Sequence, residues 1–186
     1  MNPTLCIETR RRAACRRVAS VVWAAASAIG TPAGAVQEEQ LKAAIVFNLL
    51  GFVDWPAAQA PPAGADLVLC VDPASPLAAP LRELAGRPVR QWKLAVRSVE
   101  SSPATRCQAL LVDGAARETP AALRPQPGDP VLVISDRPRQ DGAPAAHVWL
   151  LLDGGRVAFE LDLAQARRSG LQISSRLHRL ARAVHE

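Results

Sequence analysis

The chain has 186 residues, which at about 100–200 residues per domain leaves room for one globular domain and a processed leader, and excludes a multidomain enzyme. Hydrophobic residues make up 49% and charged residues 21%, an ordinary globular composition that excludes disorder as the main state. The formal charge of +5 would point to nucleic acid or an acidic surface only if it were spread over the folded part.

It is concentrated at the start. Arg10, Arg11, Arg12, Arg16 and Arg17 precede an apolar run of 13 residues, Val18 to Gly30, and Ala33-Gly34-Ala35 then supplies a small-residue cleavage site. Residues 1–35 therefore read as a cleaved secretory signal, with export by the Sec route and residues 36–186 as the mature domain. The run is shorter than the ~20 residues of a membrane-spanning helix, so a soluble periplasmic protein with no membrane insertion is expected. The leader holds five of the 22 basic residues and one of the 17 acidic ones, leaving 17 − 16 = +1 on the mature chain. The case for nucleic acid goes with it. Of four cysteines only Cys70 and Cys107 survive cleavage. In an oxidising compartment the pair reads as a disulfide, against the alternative of two buried thiols.

The first mature element is a helix over Glu38–Val53, apolar on nearly every side and hence buried or docked on another chain, and stopped by Asp54-Trp55-Pro56. Asp66–Val71 reads as a buried strand, Leu77–Ala85 as a helix, and Trp92–Val99 and Ala109–Val112 as strands. Ala115–Leu123 is a further helix, followed by a strand over Val131–Ser135. His147–Leu152 and Arg156–Leu161 flank Asp153-Gly154-Gly155 as a β-hairpin. Asp162–Ser169 is a helix closed by Gly170. Ser174–His185 reads as a last helix capped by Ser174, because Leu177, Leu180, Ala181 and Val184 recur at helical spacing. Strands alternating with helices imply an α/β fold: a single-domain layered sandwich, its central sheet largely parallel with one antiparallel hairpin and helices on both faces.

Catalytic signatures are scarce. The sequence has no nucleophile elbow and no phosphate-binding glycine loop. His178 and His185 have no cysteine or carboxylate at ligand spacing, so neither a metal nor a cofactor is expected. Ser135 and Asp136 close a strand, the position of ligands in open α/β sheets, though a serine and an aspartate after a strand more often cap a turn. Glu160 and Asp162 share one strand face; Asp162 reads as a helix cap and Glu160 as a partner for a nearby arginine. Arg176, Arg179 and Arg182 lie off the last apolar stripe, as a solvated face or as a partner-binding patch. Phe52 and Trp55 end the first helix and serve either the core or a partner.

Three segments together carry a resemblance. Glu39–Pro56, ending Phe52-Val53-Asp54-Trp55-Pro56, then Val157–Leu171, and finally Ile173-Ser174-Ser175-Arg176-Leu177 resemble the YfiR-like family of exported proteins. Cys70 and Cys107 also match a disulfide of that family, while a second pair found in some members is missing. The resemblance implies a non-catalytic periplasmic regulator that binds the sensor domain of an inner-membrane diguanylate cyclase and represses it. It further implies that an outer-membrane lipoprotein can sequester the regulator. A homodimer is the expected assembly. The rival reading is a periplasmic small-molecule-binding sensory protein with its site near Ser135 and Asp136.

Overall fold

A computed structural model describes residues 33–99, 107–112, 125–126, 128–139 and 145–186. The helix expected over Ala115–Leu123 lies outside the described residues, as does the expected leader apart from Ala33–Ala35. In chain order the elements are α1 (Ala33–Leu50), β1 (Val53–Asp54), β2 (Asp66–Val71), α2 (Ala78–Glu83), β3 (Pro88–Val89), β4 (Trp92–Ser98), β5 (Ala109–Val112), β6 (Leu132–Ser135), β7 (Val148–Asp153), β8 (Arg156–Asp162), α3 (Leu163–Arg168), β9 (Gln172–Ile173), α4 (Ser175–His178) and β10 (Ala183–His185).

Eight strands form one sheet in the order β10-β8-β7-β6-β5-β2-β4-β3, and β1 pairs with β9 in a second, two-stranded sheet. β2 runs parallel to both β4 and β5, β5 to β6, β6 to β7, and β10 to β8. The β7–β8 hairpin is antiparallel, as is the short β3–β4 pair. The mixed, mainly parallel α/β architecture is the one the sequence implies. The hairpin turns through Gly154 and Gly155, both at positive φ, where a two-residue turn between right-twisted strands requires glycine.

β2 shows why its residues form a central strand. Leu67, Leu69 and Val71 pack into the main core with Leu94, Leu111, Ile134 and Leu150, while Val68 and Cys70 face the other way with Leu110 and Cys107. A strand apolar on both faces has no solvated side, so it sits inside a parallel sheet. Each described helix contributes to the main core: Val46 and Leu50 from α1, Leu81 from α2, Ala166 from α3 and Leu177 from α4. On the opposite face the Cys70–Cys107 disulfide ties β2 to the chain entering β5.

α1 begins at Ala33 rather than Glu38 and α2 covers Ala78–Glu83 rather than Leu77–Ala85; two further differences have consequences. α1 stops at Leu50, three residues short of Val53, as Gly51 and Phe52 turn back onto the carbonyls of Asn48 and Leu49. Val53 and Asp54 are thereby freed to pair with Ile173 and Gln172. The larger correction is at the end of the chain, where no helix spans Ser174–His185. Ser174 does cap a helix, its Oγ accepting from the Arg176 N–H, but α4 covers only Ser175–His178. The Arg182 N–H then donates to the Phe159 carbonyl and β10 joins β8. Leu177, Ala181 and Val184 all meet the core, and a turn-plus-strand satisfies that pattern as well as a helix does. Leu180, which the helical stripe requires to be buried, is 66% exposed.

Candidate partner-binding surfaces

The residues around Trp55 are assembled from distant parts of the chain. Antiparallel pairing sets Val53 opposite Ile173 and Asp54 opposite Gln172, and the Ser174 N–H donates to the Phe52 carbonyl at 2.9 Å. Gly170, at φ +68°, lies so close that a Cβ there would sit 3.2 Å from Pro56 Cγ. The first and last segments that stood out in the sequence are therefore one clasp. Trp55 is 6% exposed; its Nε1 donates to the Gln108 carbonyl at 2.9 Å, and its ring meets Trp92 edge-on at 6.0 Å. Phe52 is half-buried, packed at the margin of the core, and so offers more surface than Trp55.

Arg90 closes this corner from the β3–β4 turn. Its guanidinium donates to the Asp54 carboxylate and to the Val53 carbonyl and lies over the Trp92 ring at 5.6 Å. Arg90 has a positive φ of 55°, a conformation unfavourable for a residue with a Cβ. The sequence carries no local signal for this contact, since it depends on two elements brought together by the fold.

Along α1 the inward positions are Ala43, Val46, Leu49 and Leu50. The outward side carries Leu41, 48% exposed, and at its margin Ile45, one turn further on, half-buried against the core. Asn48 and then Phe52 continue this side towards the clasp, whereas Phe47 lies under the Arg87 guanidinium at 5.3 Å. α1 thus buries one side and leaves the other partly open.

Arg176, Arg179 and Arg182 do not share a helical face. Arg176 is on α4, Arg179 ends it, and both are exposed. Arg182 lies at the entry to β10, 3.3 Å from Asp153 and 3.6 Å from Glu160. Glu160 also meets His185 Nε2 at 3.2 Å, so its expected arginine partnership is present and a histidine joins it. His178 and His185, read as neighbours on one helix, sit on different elements. Asp162 caps α3 by accepting from the Gln165 N–H at 2.7 Å.

Ser135 and Asp136 stand at the carboxyl end of β6. The Asp136 carboxylate is met there by Lys42 of α1, whose Nζ is 2.8 Å from both Asp136 Oδ1 and Glu38 Oε1. The Lys42 and Asp136 side chains are only 13% and 8% exposed. Burial, the largest single influence, pulls Lys42 towards the neutral amine, but the hydrogen bonds and charges of Asp136 and Glu38 together outweigh it and hold its pKa above the ordinary lysine value. An ammonium group therefore occupies the position where a ligand would approach Asp136. In the sequence Lys42 stands only as the last of three charges, after Glu38 and Glu39, before an uncharged run. A small groove lined by Gln59, Cys107, Gln108, Asp129, Pro130 and Val131 lies at the other end of the strands.

Among the described residues no group of three or more His, Cys, Asp or Glu side chains is placed to hold a metal ion, and no helix is long and apolar enough to cross a membrane. A family model described as YfiR/HmsC-like matches residues 39–182. No curated protein matches the chain.

Proposed function

Because the chain belongs to the YfiR/HmsC-like family, matched over residues 39–182, we propose that it is an exported, non-catalytic regulator of cyclic di-GMP signalling. In this reading it is carried by the Sec route, loses residues 1–35, and works in the periplasm on the sensor domain of an inner-membrane diguanylate cyclase. An outer-membrane lipoprotein competes for it, and its working form is a homodimer.

The observation that carries the reading is the family match over residues 39–182, and the docking face it best fits is the outward side of α1, where Leu41 is 48% exposed and Ile45 and Phe52 lie half-buried at the margin of the core. Repression follows by linkage: a regulator that binds only the inactive cyclase shifts its equilibrium by the difference in affinity for the two states. Nothing in such a mechanism requires a nucleophile, a base or a metal. Phe52 lies further along towards the clasp, Arg176 and Arg179 are exposed cations that a partner's carboxylates can meet, and Arg182 is committed to carboxylates within the fold.

The test combines genetics with binding. Deleting the gene raises cyclic di-GMP in cells that express the cyclase, and Leu41→Glu protein, changed at an exposed position, keeps its thermal transition but no longer retains the sensor domain in a pull-down. Unchanged cyclic di-GMP in the deletion, or full retention by the folded variant, overturns respectively the repressor role and the docking face.

A further inference from the structure

The end of the chain carries a device that the regulatory reading does not use. β10 is an edge strand of three residues attached to the sheet on one side alone, through Ala183, Val184 and His185 opposite Glu160, Leu161 and Asp162 of β8. Short edge strands open at little cost, since few hydrogen bonds and few apolar contacts hold them. In this case the side chains at both ends of the strand converge on one carboxylate. Arg182, just before β10, reaches Glu160 Oε1 at 3.6 Å, and His185, its last residue, reaches Glu160 Oε2 at 3.2 Å. The Glu160 side chain is 14% exposed, so the site is shielded from water on the sheet side. Arg182 is further held by Asp153 from the hairpin end, and His185 meets the edge of Trp149.

We infer that β10 is a releasable strap and that Glu160 is its anchor, deciding whether the outer edge of β8 is covered or open. Removing the negative charge of Glu160 withdraws the common partner of both ends of the strap, leaving Val184 and, just before the strand, Ala181 on the core and the packing of β10 against α3. Release bares the Phe159 carbonyl, now bonded to the Arg182 N–H, together with the neighbouring backbone of β8. An uncovered edge of this kind is a template for an extended segment of another chain. The inference concerns the protein's own conformational equilibrium and holds whatever the protein binds.

Hydrogen–deuterium exchange on the full chain, wild type against Glu160→Gln, tests it. The expected result is exchange at Ala183–His185 faster by roughly tenfold or more, with the amides of β2 and β5 protected as in the wild type, because only the strap opens. If Glu160→Gln fails to fold, Arg182→Gln is read in the same way; its side chain is 47% exposed and its loss leaves the core intact. Wild-type exchange at β10 in a folded variant overturns the inference. So does an equal acceleration throughout the sheet, which would make Glu160 a support of the whole fold rather than the anchor of one strand.

Discussion

Acid is expected to weaken this protein through one buried side chain. His147, at 2% exposure, accepts the Val133 N–H on Nδ1 at 2.8 Å, with Nε2 3.1 Å from Ser169 Oγ. With Nδ1 accepting, the single ring proton sits on Nε2 and is donated to Ser169, and a second proton would have to face the Val133 N–H. Burial, opposed by the charge of Asp162, lowers the pKa from 6.5 to about 4. Between those values the unfolded chain carries a proton on this histidine that the folded protein does not, so stability falls as pH falls. The difference, 6.5 − 4 or about 2.5 units at about 1.4 kcal/mol each, is worth roughly 3 kcal/mol. It is present above the unfolded value and lost as pH falls through the folded one. About 2 kcal/mol of it goes between about pH 7 and pH 5, a large part of a usual total of ~5–15 kcal/mol. The assay is urea unfolding across that range for the wild type and His147→Asn, whose amide oxygen can take over the acceptor role without titrating. The wild type loses more stability than the variant as pH falls, and the two curves converge. Parallel curves would refute the reasoning and assign the acid response to other groups.

Leu50→Ala, at a fully buried site, should cost about 2–5 kcal/mol, whereas Phe52→Ala, half-buried at the core margin, should cost roughly 1–2 kcal/mol; chemical denaturation separates them. Arg90→Gly and Arg90→Ala lose the same contacts with Asp54 and Val53, but glycine relieves the positive φ, so the glycine variant should be the more stable by about 1 kcal/mol. Equal stability would mean that the turn relaxes on its own. Reducing the disulfide, which spans a sequence separation of 37, should cost up to about 4 kcal/mol on the chain-entropy model, visible as a lower Tm in reductant that Cys70→Ala/Cys107→Ala reproduces without it.

The strands β2, β5, β6 and β7 are legible because each is a short apolar run near turn residues, a pattern that a buried sheet imposes locally, and β8 is legible from the glycine turn that precedes it. β1 and β9 are not. Each is two residues long, and neither exists without the other, so the information lies in a long-range pairing that no window along the chain contains. The C-terminal segment failed for a different reason. Periodicity reports which residues must face the core, and Leu177, Ala181 and Val184 do so in a turn followed by a strand as they would in a helix. Only the pairing of Val184 with Leu161 separates the alternatives. Among the candidate site residues, the cap at Asp162 follows from local spacing, the arginine that Glu160 pairs with, Arg182, comes from a different element, and Cys70 and Cys107 are joined as a disulfide. The fate of Asp136 depended on Lys42, which approaches from a different element, and Trp55 depended on Gln108 in the same way.

The clasp between Phe52–Pro56 and Gly170–Ser174 also bears on the order in which the molecule can form. It joins a segment near the beginning of the folded chain to one near its end, so almost all intervening residues must be looped before the contact is made, and contacts of that separation slow folding. While the chain is emerging, the segment after α1 can meet Arg90, Trp92 and Gln108, but its strand partner is missing until Gly170–Ser174 arrive. A nascent chain of this sequence therefore closes the clasp late, after α1 has packed on α2.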